Sequence, residues 1–199
     1  PTPSLLINEF VANAPVGEND WVELYNPTDA AVSLAGWYLS DDAAEPNKWA
    51  LPAGSVAARG YVSFDDFGGF ALSRGGEELV LSYLPAGWPG QAEAFSGGRI
   101  VDAVEFEAQE EGVSLGRCPD GGPWWFRLEP SRQRANANPI SDIVINEVMY
   151  HPVDPNEEYV ELFNPTGAWV SLADGDSPWR LSGAVDYNFP AGASMPAGG

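Results

Sequence analysis

Trp21-Val22-Glu23-Leu24-Tyr25-Asn26-Pro27-Thr28 is a run of alternating side chains that ends in an Asn-Pro turn. Val22 and Leu24 fall on one face of an extended chain, and Trp21, Glu23 and Tyr25 fall on the other. Pro27 has no N–H to continue a ladder, and an asparagine before it bonds readily to nearby backbone, so the strand stops there. The same text returns 138 positions later as Tyr159-Val160-Glu161-Leu162-Phe163-Asn164-Pro165-Thr166. Upstream, Leu5-Leu6-Ile7-Asn8-Glu9-Phe10 matches Ile143-Val144-Ile145-Asn146-Glu147-Val148 at that offset. Downstream, Val32-Ser33-Leu34 matches Val170-Ser171-Leu172, and Trp37-Tyr38-Leu39-Ser40 matches Trp179-Arg180-Leu181-Ser182 after a four-residue insertion. Leu51-Pro52-Ala53-Gly54 and Phe189-Pro190-Ala191-Gly192 restore the register. A match this long, with one compensated change of loop length, marks a duplicated unit of ordinary domain size. The expected organisation is a complete unit at 1–129, a linker at 130–142 rich in Pro, Asn, Ser and Arg, and a partial second unit at 143–199.

The remaining apolar segments are short, β-branched or aromatic, and separated by turn residues such as Pro52-Ala53-Gly54, Gly75-Gly76 and Asp120-Gly121-Gly122. Strands are expected at 4–12, 20–26, 31–40 with a break at Ala35-Gly36, 47–51, 60–65, 70–73, 78–84, 100–106, 113–117 and 124–127. No window combines a 3.6-residue apolar period with helix caps. Many short strands at this spacing make an all-β sandwich or barrel. Its core is expected to contain Val22, Leu24, Leu34, Trp37, Leu39, Leu51, Val62, Leu79, Leu81, Val104 and Leu115.

A net charge of −20 repels phosphate backbones and anionic lipid, so direct nucleic-acid binding is not expected. No apolar run is long enough for membrane insertion as a helix. Cys118 is the only cysteine, which excludes an intrachain disulfide. The chain opens at Pro1, and the expectation is that it is part of a longer protein.

Chemistry-bearing patterns are sparse. His151 precedes a proline in a loop, and the first copy has Asn13 in its place. The acid pairs Asp41-Asp42, Asp65-Asp66, Glu77-Glu78 and Glu110-Glu111 are adjacent in sequence, and neighbours in a strand point to opposite faces. The chain is therefore read as non-enzymatic, with no catalytic residue and no cofactor-binding residue. Asn8, Glu9, Glu23 and Asn26 recur in both copies, so oxygen ligation of Ca²⁺ is weighed for Asn8, Glu9 and Glu23. The competing reading is that they satisfy backbone groups at strand ends. Asp41, Asp42 and Glu45 form a second cation candidate, particular to the first copy. The expectation is no bound metal, with these as the fallback ligands. Trp21, Tyr25, Trp88, Trp124 and Trp125 are candidate exposed aromatics for binding.

The order of motifs is distinctive: Ile-Asn-Glu, Val-Glu-Leu-Tyr-Asn, Leu-Ala-Gly-Trp-Tyr-Leu-Ser, Leu-Pro-Ala-Gly, Gly75-Gly76-Glu77-Glu78-Leu79-Val80-Leu81 and Ser114-Leu115-Gly116-Arg117. This order resembles the bacterial members of the lamin-tail domain family. The resemblance covers 5–138 and, for its first half, 143–198. It implies an immunoglobulin-like β-sandwich in tandem. It also implies a non-catalytic adhesion or assembly module of an exported or surface protein. Its partner is then a protein or surface polymer, with self-association through the second unit. Alternative functions are a carbohydrate-binding accessory to a hydrolase, or an accessory to an extracellular nuclease. In place of the Pro-Gly turn usual at the end of such domains, the chain has Arg132 and Arg134 in Pro130-Ser131-Arg132-Gln133-Arg134.

Overall fold

The computed structural model describes residues 4–84, 98–137, 142–154, 158–174, 177–183 and 185–199. The chain forms two compact units, 1–139 and 140–199. The candidate Trp88 lies outside the described residues.

The first unit is built from β1 (Leu6–Val11), β2 (Trp21–Tyr25), β3 (Val32–Ser33), β4 (Trp37–Ser40), β5 (Trp49–Ala50), β6 (Ser55–Val56), β7 (Tyr61–Phe64), β8 (Gly76–Tyr83), β9 (Arg99–Glu107), β10 (Ser114–Arg117) and β11 (Trp125–Leu128). One sheet runs β11-β10-β1-β2-β7, the other β5-β4-β8-β9, with β3 and β6 as a separate pair. All pairings are antiparallel. The inner faces meet over Ile7, Phe10, Val22 and Leu24 from the first sheet and Trp37, Leu39, Leu79 and Leu81 from the second. One ring contact ties the sheets together, Phe10 of β1 lying 4.7 Å from Phe106 of β9 between centroids, and within its own sheet Phe10 lies 5.7 Å from Trp125. This is an all-β sandwich, as the spacing of many short strands predicts, and it is immunoglobulin-like, as the family resemblance implies.

The break expected at Ala35-Gly36 separates β3 from β4. Gly36 has φ +85, and a Cβ there would stand 2.5 Å from the Leu84 carbonyl oxygen, so only glycine fits. The segment 70–73, expected as a strand, is irregular. It gives side chains to the core and no ladder: Phe70 stacks on Phe67 at 4.9 Å, and Leu72 is buried. Val62 and Leu115, expected in the core, are partly buried and pack against it.

The linker expected at 130–142 is corrected over residues 131–136. Residues 131–136 are fastened to the first sandwich through Ser131, Gln133 and Asn136. Their polar composition reads as solvated, but these groups answer buried acceptors on β1 and β2.

The second unit carries β12 (Val144–Met149), β13 (Tyr159–Phe163), β14 (Val170–Ser171), β15 (Ala173–Asp174), β16 (Ser177–Pro178), β17 (Arg180–Leu181), β18 (Tyr187–Asn188) and β19 (Ser194–Met195). They pair two by two: β12 with β13, β14 with β19, β15 with β16 and β17 with β18. The β12–β13 hairpin repeats the β1–β2 register. Glu147 faces Glu161 as Glu9 faces Glu23, and each ladder shifts once, after Ile145 and after Ile7.

Candidate functional site

The register shift after Ile7 is a bulge, and a bulge re-aims the side chains beside it. Ile7 and Phe10 enter the core, while both Asn8 and Glu9 join the polar groups beside Glu23. Glu9 and Glu23 are direct partners across the β1–β2 ladder, so their side chains are neighbours on one face. Both are fully buried, as are Asn8 and Ser114.

The donors to this pair are neutral. Ser114 Oγ donates to Glu9 Oε1 at 2.6 Å, the Ser131 amide donates to the same oxygen at 3.0 Å, and Ser131 Oγ lies 2.9 Å from Oε2. The Gln133 amide donates to Glu23 Oε2 at 2.5 Å. Asn8 Nδ2 donates to Glu23 Oε1 at 3.3 Å and to Asp120 Oδ1 at 3.0 Å. Tyr61 closes the far side, its hydroxyl donating to Asp120 Oδ2 at 2.7 Å. Burial pushes the Glu23 carboxyl up to about 7, against the lowering effect of the Gln133 and Asn8 donors. Burial also raises Glu9 above the usual carboxylate range, despite its serine donors. The Tyr61 hydroxyl is raised as well, first by burial and then by its bond to Asp120.

The nearby cations are committed elsewhere. Arg117 pairs with Asp102 at 2.9 Å, donates to the Ile7 carbonyl at 2.8 Å and lies 4.4 Å over the Trp125 ring. Asp102 in turn accepts from the Ile7 amide at 2.9 Å, so this nearly buried bridge joins β9, β1 and β10.

The cation candidates therefore separate. Asn8, Glu9 and Glu23 lie on the five-stranded sheet with their oxygens facing protein donors. Asp41 and Asp42 follow β4, and the Lys48 ammonium lies 2.7 Å from Asp41 and 3.8 Å from Asp42. The Asp42 carboxylate also accepts from the Ala44 amide, and the Glu45 carbonyl accepts from Ser40. No group of three or more acidic, His or Cys side chains is arranged to hold a metal among the described residues.

Two of the aromatic candidates are corrected. Trp21 and Tyr25 are buried, although strand alternation puts them opposite Val22 and Leu24. Tyr25 stacks on Tyr61 at 5.1 Å, and the Arg132 guanidinium lies 5.7 Å over Trp21. The outer face of β2 is covered by the Tyr61 side chain of the neighbouring β7 and by residues 131–136, which alternation alone does not reveal. Trp125 is partly buried, and Trp124 is exposed. Cys118 donates its amide to the Trp124 carbonyl in a turn, and His151 is exposed beside Tyr150.

Asn26 is a turn lock. Its Nδ2 donates to the carbonyls of Ala30, Val56 and Ala57, and its Oδ1 accepts from Thr28. Asn164 makes the matching set with Ala168, Met195, Pro196 and Thr166.

On the second unit, the β12 residues equivalent to the first core stand open. Ile145 is 59% exposed and Val148 51%, where Ile7 and Phe10 are at 0%. Tyr150, Tyr159, Val185 and Tyr187 are exposed around a cleft that also includes Leu162 and Phe189.

Sequence reasoning missed Ser131, Gln133 and Asn136, because their role is to meet groups over a hundred residues earlier. The one local hint is Arg132-Gln133-Arg134 standing where a turn is usual.

The model of the Lamin Tail Domain family matches residues 1–103. No curated protein matches the chain, and no solved structure does.

Proposed function

The chain belongs to the Lamin Tail Domain family, and from that premise we propose that it is a non-catalytic assembly module of a larger, exported bacterial protein. The observation that carries this reading is the open apolar sheet of the second unit. In β1–β2 the same positions are covered by β4, β8 and β9, and the edges are taken by β10 and β7. Among the described residues, β12 and β13 have only each other as ladder partners. An unpaired edge beside an exposed apolar face favours strand addition from another protein.

The occupant we assign is a second copy of this chain. Two such hairpins can pack face to face about a two-fold axis, each covering the apolar side chains that the other leaves exposed. Acidic copies repel, so added salt strengthens the association. Sedimentation over a range of concentrations at low and high salt tests it. The expected result is a dimer that strengthens with salt and is lost on Ile145→Asp with Val148→Asp. A monomer at every concentration, with amides of 144–163 as protected as those of 6–25, overturns it.

The carbohydrate reading has weaker support. With Trp21 and Tyr25 buried and Trp125 partly buried, Trp124 is the exposed ring of the candidates described in the first unit, and a flat platform for a sugar needs more than one. The nuclease-accessory reading requires cations to bridge two acidic surfaces.

A further inference from the structure

The two carboxylates at the centre of the first unit share a feature that assembly does not use: their roof is a short segment that makes no ladder. Residues 131–136 form a turn, closed by the Arg134 amide on the Ser131 carbonyl at 3.0 Å. Only Ser131 is buried, and residues 132–135 are exposed. Glu9 and Glu23 hold the segment down through the Ser131 and Gln133 amides. Asn136 anchors the end, donating to the carbonyls of Asn8 and Arg117 at 3.1 and 2.8 Å. A Cβ on Gly116 would stand 2.7 Å from Asn136 Nδ2, so β10 is pared to glycine where the segment crosses it.

We propose that residues 131–136 are a pH-sensitive strap, closed over the Glu9–Glu23 pair while the pair retains a proton and released when both carboxylates ionise. The geometry requires a choice. Two adjacent carboxylates in a buried site cannot both ionise without relief, because each opposes the other's charge and neither is hydrated.

The charged and titratable groups around the pair offer no relief. β1 and β2 contribute the pair itself, with Tyr25 beside it. The turn after β10 contributes Asp120, a third negative group, with Tyr61 of β7 bound to it. Arg117 of β10 is spent on Asp102 of β9. From the strap, Arg132 turns outward to Ser63 and Asp65, and Arg134 reaches the Pro130 carbonyl. The Ser131 and Gln133 donors favour ionisation, but burial outweighs them at both carboxyls.

Water is then the remaining source of relief, and lifting the strap admits it at the cost of a few hydrogen bonds. The closed strap also carries a strained residue. Gln133 has φ +62, a left-handed conformation that a non-glycine side chain disfavours. Its amide bond to Glu23 keeps it there.

Amide exchange by NMR on the full chain, corrected for intrinsic pH dependence, tests this. Ser131 and Gln133 are expected to lose at least tenfold in protection between pH 5.5 and pH 8.5, while Val22 and Leu24 keep theirs. Glu23→Gln is expected to keep the strap protected at both pH values. Gln133→Gly, which removes the φ penalty, is expected to move release to higher pH, and it retains both carboxylates should Glu23→Gln fail to fold. Equal strap protection at both pH values in the unaltered chain overturns the proposal. So does a loss shared by Val22 and Leu24, or a pH dependence unchanged in Glu23→Gln.

Discussion

The β1–β2 and β12–β13 hairpins are two readings of nearly one sequence. They share register, bulge and the facing glutamates. Yet Ile7, Phe10, Val22 and Leu24 are at 0% exposure, and all of β12 is exposed. Hairpin geometry is set by what lies within and beside the strands. Burial is set by what arrives from far along the chain. The same residues therefore contribute very different amounts of stability in the two places.

The largest expected contrast comes from truncating the paired tryptophans. Trp37 is fully buried and lies 5.0 Å from Tyr83, whereas its counterpart Trp179 is half-buried beside a shallow cleft. Trp37→Ala is expected to destabilise the first unit by about 3–5 kcal/mol. Trp179→Ala is expected to cost about 1 kcal/mol or less. Urea melts followed by unit-specific amide exchange measure both, and equal losses would break the comparison.

A smaller effect follows from the burial of the first glutamate pair. Glu23 titrates near 7 in the folded chain, against roughly 4.3 for an unperturbed glutamate. A folded value above the unfolded one means that the native state holds the extra proton. The stabilisation is then complete below about pH 4 and is lost as pH rises through 7. Glu9 is shifted in the same direction. Melting of the first unit is expected to weaken by on the order of 2–3 kcal/mol between pH 5 and pH 8, less whatever strap release recovers. Glu23→Gln is expected to flatten most of that slope, and a profile rising with pH would refute the assignment.

The smallest effect sharpens the comparison by removing it. Asn26 and Asn164 are both at 0% exposure and make the same five bonds. Replacing either with alanine leaves mostly part-buried carbonyls without their donor, at a cost of about 1–2 kcal/mol. The two losses are expected to agree, because this turn is built from groups close at hand in both units. Matched thermal melts of the two variants, each read at its own unit, check this.

The sandwich was legible from the sequence because period-two alternation, Asn-Pro turns and the 138-residue repeat are local or self-similar signals. So was much of the core, since Trp37, Leu39, Leu79 and Leu81, expected inside, are all at 0% exposure. The alternating face of 21–25 was read correctly for Val22 and Leu24. It was misread for Trp21 and Tyr25, because their cover comes from Tyr61 and Arg132. The strand expected at 70–73 failed for a related reason. Its apolar residues serve the core as rings and aliphatic plugs, and hydrophobicity does not distinguish a plug from a rung.

By itself, the sequence determined that this protein is all-β, with a 138-residue internal repeat, an acidic composition and hairpins of fixed register. Those properties follow from steric alternation, turn chemistry and charge, which act between neighbours. Only the tertiary structure decided which glutamates would be buried and which segment would roof them. It also decided which of two matching sheets would be covered. Those outcomes depend on contacts between residues more than a hundred positions apart, such as Glu9 with Ser131, and no local pattern of side chains encodes such a meeting.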